Sequence, residues 1–210
     1  MNLKQAGRFT LHLSRRLAED NGFRAALRRA GDRTTAESRM LLAWAGLFES
    51  LNLHARDEEA CHLVGTMMAH DRTLRAKAEA SPTPQEPDSD GAATAERMSL
   101  GASLGHRVAA DPGEANATDR RLANLLEATW EWDGTGSLPW RLRRTVLLLL
   151  SRNTPIDWAL LLNDVAHWNH SDRYVQRLWA KDYYRQRPLE IAAIGARADE
   201  DDETTPDPDE

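Results

Sequence analysis

Arginines at helical spacing are the residues of this chain best suited to chemistry. Arg173, Arg177, Lys181 and Arg185 recur at every fourth position, which lays a slowly drifting basic stripe along one side of a helix. Val175, Leu178 and Trp179 fall mostly on the other side. Arg141, Arg144 and Arg152 project within about 80° of one another at roughly 100° per residue. Leu138, Leu142, Val146, Leu149 and Leu150 occupy the opposite side, and Arg143 falls toward it, paired or snorkelling. Arg24 and Arg28 share a face opposite Phe23 and Leu27, with Arg29 at its edge. Arg120 and Arg121 open an expected helix, whose N-terminus favours anions. The candidate nucleic-acid-binding set is Arg28, Arg29, Arg56, Arg120, Arg121, Arg141, Arg144, Arg173, Arg177 and Lys181. Guanidinium forks bind phosphate through two parallel hydrogen bonds, so arginine-rich faces suit a nucleic-acid backbone. The residues alone leave a second reading open, a set of solvated helix faces.

Catalytic patterns are missing from the sequence. There is no Gly-x-Ser-x-Gly elbow, no Walker loop and no His-Glu-x-x-His. His167 and His170 have a spacing that could hold a metal, but no Cys, Asp or Glu set accompanies them. His54, His62 and His70 drift around a helix and form no tight site. Asp157 reads as a helix cap, not as a general acid. The expectation is a non-enzymatic protein without metal or cofactor.

The elements that carry these residues read as helices throughout, with no period-2 strand and no hairpin signal. Helices are expected over 2–19, 23–30, 35–50, 57–78, 97–110, 119–131, 138–152, 158–168 and 172–186. Asp157 and Ser171 are the expected N-caps of the last two. Thr34 and Glu37 have capping-box spacing, and Gly22 and Gly31 sit where glycines end helices. Residues 81–95 are polar and Pro-rich, too poor in apolar area to fold, and divide the chain. The expected organisation is an N-terminal helical part (1–80), a disordered linker (81–96), a C-terminal helical part (97–197) and a disordered acidic tail (198–210). Trp130, Trp132, Trp140, Trp158, Trp168 and Trp179 crowd one region, and aromatics at helical spacing are mostly core. Trp132 and Trp140 flank the Gly134-Thr135-Gly136 turn, so they are the pair expected to be partly exposed.

Net charge is −6, which at first sight argues against a nucleic-acid partner. Residues 199–210 hold eight acids and no Lys or Arg; without them 27 basic side chains face 25 acidic ones, a charge of +2. Residues 79–96 hold five more acids and no base, and without both segments the charge is +7. The part expected to fold is therefore basic. No apolar run approaches the ~20 residues of a membrane helix, and the first residues lack the apolar core of a secretory signal. Cys61 is the only cysteine, so no intramolecular disulfide forms, and it reads as core. A cytoplasmic protein is expected.

A series of short motifs runs along the chain in order. Asp20-Asn21-Gly22 precedes Ala26-Leu27-Arg28-Arg29. Ser99-Leu100-Gly101 and Ser103-Leu104-Gly105 follow, then Asp119-Arg120-Arg121-Leu122 with Leu125-Leu126, then Leu142-Arg143-Arg144. Pro155-Ile156-Asp157-Trp158-Ala159-Leu160-Leu161, Trp168, Val175, Trp179-Ala180 and Tyr183-Tyr184 complete it. The series resembles the CasB family, the small subunit of the type I-E CRISPR surveillance complex Cascade, over most of residues 1–187. Glu127, and His170-Ser171 before Arg173, depart from the family pattern. The resemblance implies an all-α, two-part bundle of about nine helices and no catalysis. It implies contact with a second copy of the chain, with the crRNA-binding backbone subunit and with the large subunit. It further implies that basic residues hold the guide–target hybrid, with its crRNA, and the displaced DNA strand, stabilising the R-loop of antiviral defence. A rival reading from the residues is a helical scaffold whose arginines meet acidic protein surfaces.

Overall fold

The computed structural model describes residues 1–31, 41–51, 53–54, 57–74, 97–131 and 137–187. Arg56, Trp132, the Thr34–Glu37 pair, residues 81–96 and the tail 198–210 lie outside the described residues. Among the described residues there are nine α-helices and no strand. They are α1 (Leu3–Glu19), α2 (Asn21–Ala30), α3 (Leu41–Ser50), α4 (Glu58–Met68), α5 (Leu100–Ala110), α6 (Ala115–Leu126), α7 (Leu138–Ser151), α8 (Trp158–Ala166) and α9 (Tyr174–Gln186). None of them is long and apolar enough to cross a membrane.

Local chemistry sets most of the ends. Asn2 and Gln5 form a reciprocal capping box on α1, at 2.9 and 3.0 Å. Asp20 closes α1 and caps α2 by accepting from the Phe23 amide at 2.8 Å. Ser99 and Ser137 cap α5 and α7, and Asp157 caps α8 through the Leu160 amide at 2.9 Å, as expected.

Other ends differ from the sequence reading. Gly22 lies within the first turn of α2 and ends nothing. Gly31 does close α2, but with φ −67° it is right-handed; its missing side chain leaves room for Arg143, whose Nη1 would sit 1.3 Å from an added Cβ. The helix expected to reach residue 78 stops at Met68, where the His70 and Asp71 amides turn back to the Met67 and Met68 carbonyls. The helix expected to start at residue 119 starts at Ala115, directly after a 3₁₀ turn at Pro112–Glu114. Ser171 does not cap α9: Arg173 does, in the left-handed region at φ 49°, without any side-chain cap.

One buried core runs through both ends of the chain. α4 is its axis, buried from Ala60 to Met68, and Cys61 within it is fully enclosed, with burial pushing its thiol far up. Phe9, Leu13 and Leu17 of α1 recur on one face, and α1 and α4 both pack on α8. Phe9, Trp44 and Phe48 stack with centroids 5.6–6.4 Å apart. The tightest helix pair is α5 with α9, where Gly101 and Gly105 lie against the backbone of Trp179 and Tyr183. Both copies of the Ser-Leu-Gly motif therefore serve one contact. Ser99 donates to Asp182 at 2.7 Å, and Ser103 donates to the Pro155 carbonyl at 3.1 Å.

The tryptophans divide as their spacing implies. Trp158, Trp168 and Trp179 are buried, and each indole N–H finds an acceptor: Asp71 at 2.9 Å, the Ala128 carbonyl at 2.9 Å and Asp164 at 2.7 Å. Trp140 is 40% exposed. Leu178, expected on the packed side of α9, is 37% exposed, because the buried face of α9 is made of Val175, Gln176, Trp179 and Tyr183.

Candidate nucleic-acid interface

Many cations are already committed within the fold. Arg24 Nε donates to the Leu17 carbonyl at 2.9 Å, and Arg28 Nε donates to the Ala69 carbonyl at 2.8 Å. Both satisfy backbone acceptors at helix ends. Arg173 reaches the Leu126 carbonyl at the end of α6. Arg107 pairs with Asp111 and Glu114, Arg152 with Glu114, and Arg185 with Asp182. Arg187 grips Asp119 with both contacts at 2.8 Å. The Tyr183 hydroxyl donates to that same carboxylate at 2.7 Å, and burial followed by Asp119 pushes its pKa well up.

Other members of the candidate set stand at the surface. Arg29, Arg177 and Lys181 are exposed and form no ion pair among the described residues. Arg120, Arg121, Arg141 and Arg144 are brought together. They line a groove of about 410 Å³ between α6 and α7. Ala117, Arg120, Arg121 and Asn124 form one wall; Trp140, Arg141, Arg144 and Thr145 form the other.

The sequence builds this groove from two amphipathic helices. Thr118, Leu122 and Leu125 turn one face of α6 into the core, which leaves Arg120 and Arg121 on the next face round. Leu138, Leu142, Val146 and Leu149 do the same for α7. The Leu138 amide donates to the Thr129 carbonyl at 2.8 Å, which fixes the start of α7 beside the end of α6. Arg141 then bridges the walls by donating to the Asn124 carbonyl. The Arg144 guanidinium lies over the Trp140 ring, 4.5 Å from its centroid.

Four guanidinium groups line the groove, and no carboxylate is among its described lining residues. Asp119, the acid nearest in sequence, is neutralised by Arg187 on the side facing α9. A cationic groove without internal counter-ions attracts anions and fits phosphate oxygens. Trp140 was legible as an exposed tryptophan; its partnership with Arg144 was signalled only by their i, i+4 spacing.

The histidines stand apart from this groove. His167 Nδ1 lies 2.7 Å from the Asn163 carbonyl, and His170 is beside Tyr174 and Asp172 at the surface. Among the described residues, no three His, Cys, Asp or Glu side chains are placed to hold a metal. Among the described residues, Asp164 is the most perturbed carboxyl group. Burial pushes its carboxyl up to about 6, against the pull of the Trp179 hydrogen bond.

Comparison with known proteins places this architecture. The family model described as CRISPR-associated protein Cse2 matches residues 23–184. A CRISPR-associated protein Cse2 of Thermus thermophilus is 39% identical over 72 residues, which spans 34% of this chain and only 37% of that protein. A chain of a pre-nicking CRISPR RNA-guided surveillance complex superposes with a TM-score of 0.65 at 27% identity, covering 93% of this chain and 98% of its own. CasB of M. ruber shares the fold, with a TM-score of 0.66 at 23% identity over 96% of this chain and 98% of its own. The likeness to CasB read from the ordered motifs and the Cse2 match agree over the same helices, and the chain belongs to the Cse2 family of CRISPR-associated proteins.

Proposed function

We propose that this chain is the small, non-catalytic subunit of a type I-E Cascade surveillance complex and that it stabilises the R-loop by holding nucleic-acid backbone. The observation that carries this reading is the groove of Arg120, Arg121, Arg141 and Arg144, free of carboxylates among its described lining residues. R-loop formation exchanges one duplex for another of similar stability, so modest backbone contacts tip the balance. Likeness to a chain of an RNA-guided surveillance complex supports the assembly. Its partners are the crRNA-binding backbone subunit, the large subunit and a second copy of the chain, in the cytoplasm. Exposed Arg29, Arg177 and Lys181 extend the basic surface.

Exposed Leu178 and Tyr184 on α9 favour a protein contact there, which is the scaffold reading applied to that helix alone. One experiment addresses both readings. Binding of single-stranded DNA by the full chain should weaken steeply with salt, and the slope of log affinity against log salt should shrink by about 0.7 for each arginine lost from the groove. Absence of binding at low salt supports the scaffold and overturns the nucleic-acid role.

A further inference from the structure

An arginine groove that served phosphate alone would need no aromatic ring. This one has Trp140, which stands in the first turn of α7 with 40% of its surface exposed, although the other described large aromatics of the C-terminal helices are mostly inside. Its position is fixed. The Trp140 amide lies within 3.5 Å of the Ser137 hydroxyl, Pro139 precedes it, and the Leu138–Thr129 bond anchors the turn. Arg144 lies over the ring 4.5 Å from its centroid, which puts a cation on one face of the aromatic platform. Arg120 and Arg121 stand on the facing wall without an ion pair among the described residues. Arg141 holds the two walls together through the Asn124 carbonyl. The groove, about 410 Å³, is of the size class of small-ligand pockets.

This arrangement joins two recognition elements at one place. Free guanidiniums recognise phosphate. An exposed indole with an arginine on it recognises the flat face of a base that is not stacked within a duplex. A base inside a helix offers no face, so the platform is of use only to an unpaired nucleotide. We infer that the α6–α7 groove takes one unpaired nucleotide of a single strand, its base laid on Trp140 and its phosphates held by Arg120, Arg121 and Arg144. The inference rests on the nucleic-acid reading above and adds to it a selectivity that charge alone does not give. It makes the groove a site for displaced or flanking single strand in preference to paired hybrid.

The test compares two polymers of equal charge. The full chain is titrated with a thymidine homopolymer and with an abasic deoxyribose–phosphate polymer of the same length, at one fixed salt concentration. The site predicts tighter binding of the base-bearing polymer, on the order of tenfold, the size of one base–aromatic stack. Trp140→Leu should remove that preference, so that the base-bearing and abasic polymers bind equally, and Trp140→Phe should retain most of it. The wild-type comparison stands even if a variant folds poorly, and circular dichroism checks the folding. Equal affinity of wild type for both polymers overturns the stacking site and leaves the phosphate role standing. A preference that survives in a folded Trp140→Leu places stacking elsewhere and also overturns it. Failure of both polymers to bind overturns the nucleic-acid reading itself.

Discussion

Substituting alanine for Gly101 should destabilise the protein, whereas the same change at Gly7 should stabilise it. Both glycines lie in helices, where alanine is intrinsically favoured by up to about 1 kcal/mol. Their surroundings are opposite. A Cβ on Gly7 meets nothing within 4 Å, so the intrinsic gain is realised. A Cβ on Gly101 would lie 2.0 Å from the Trp179 carbonyl oxygen and 2.6 Å from its carbon. These are backbone atoms, which no rotamer change can move. A tolerable C···O separation is roughly 3.3 Å, so α5 and α9 would have to part by more than about 1 Å. Overpacking of this kind costs about 1–3 kcal/mol and more when backbone must shift. Gly101 is in the first turn, where the propensity gain is small, so a net loss of about 3 kcal/mol is expected. At roughly 2–4 °C per kcal/mol for a chain of this size, the melting temperature should fall by about 6–12 °C. Gly7→Ala should raise it by about 2–4 °C. Gly105→Ala, with its Cβ 2.5 Å from the Tyr183 carbonyl oxygen, should also lower it, by less than Gly101→Ala. Thermal unfolding followed by circular dichroism measures all three. If Gly101→Ala melts with or above Gly7→Ala, the two helices do not meet as closely as described and the placement of α9 is wrong.

Other perturbations test separate parts of the structure. Asp164 should make stability depend on pH: its folded pKa, pushed up to about 6, exceeds its ordinary 3.8, so the folded state binds the extra proton. As far as this group is concerned, stability should therefore be highest below about pH 4 and fall as pH rises from there through 6, a change of about 3 kcal/mol at most. Asp164→Asn keeps an acceptor for the Trp179 indole and should remove that slope; an unchanged slope in urea titrations from pH 4 to 7 contradicts the burial argument. Trp158→Phe leaves the buried Asp71 without its 2.9 Å indole donor and should cost about 1–3 kcal/mol by chemical denaturation. Trp179→Ala adds a core cavity to the loss of the Asp164 bond and should cost about 3–5 kcal/mol or more. Deleting residues 199–210 removes eight acids and should tighten binding to single-stranded DNA at low salt, with the effect vanishing at high salt.

What could be read in advance was whatever is decided within a few residues of chain. Asp157 caps α8 because an aspartate before an apolar run does so almost regardless of context. Trp158 and Trp179 are buried because they fall in apolar register on their helices. Elsewhere, partners distant in sequence decided the outcome. Asp119 has the look of a helix start, but its carboxylate is engaged by Tyr183 and Arg187, and the helix begins earlier, after the Pro112 turn. Ser171 has the right chemistry for a cap, yet the chain enters α9 through a left-handed Arg173 whose side chain is tied to the end of α6. Gly31 is explained by Arg143 from another helix and not by its own backbone. The basic set shows the same division most sharply. Arg28 and Arg144 both sit at helical spacing with basic neighbours, but one spends its Nε on a carbonyl at the end of α4 while the other lies in an open groove. Spacing fixes the face of a helix; only tertiary contact decides whether that face is occupied.

R-loop formation by the assembled surveillance complex tests the central claim most directly. Arg120→Glu with Arg121→Glu is the perturbation of choice, because neither side chain forms an ion pair or hydrogen bond among the described residues, whereas Arg141 holds α6 to α7. The complex built with this double variant should assemble with unchanged stoichiometry, yet open target DNA at least tenfold less well near physiological salt, with the deficit in affinity growing as salt falls and shrinking as salt rises. R-loops that form at the wild-type level, in a complex shown to contain the variant, would contradict the account.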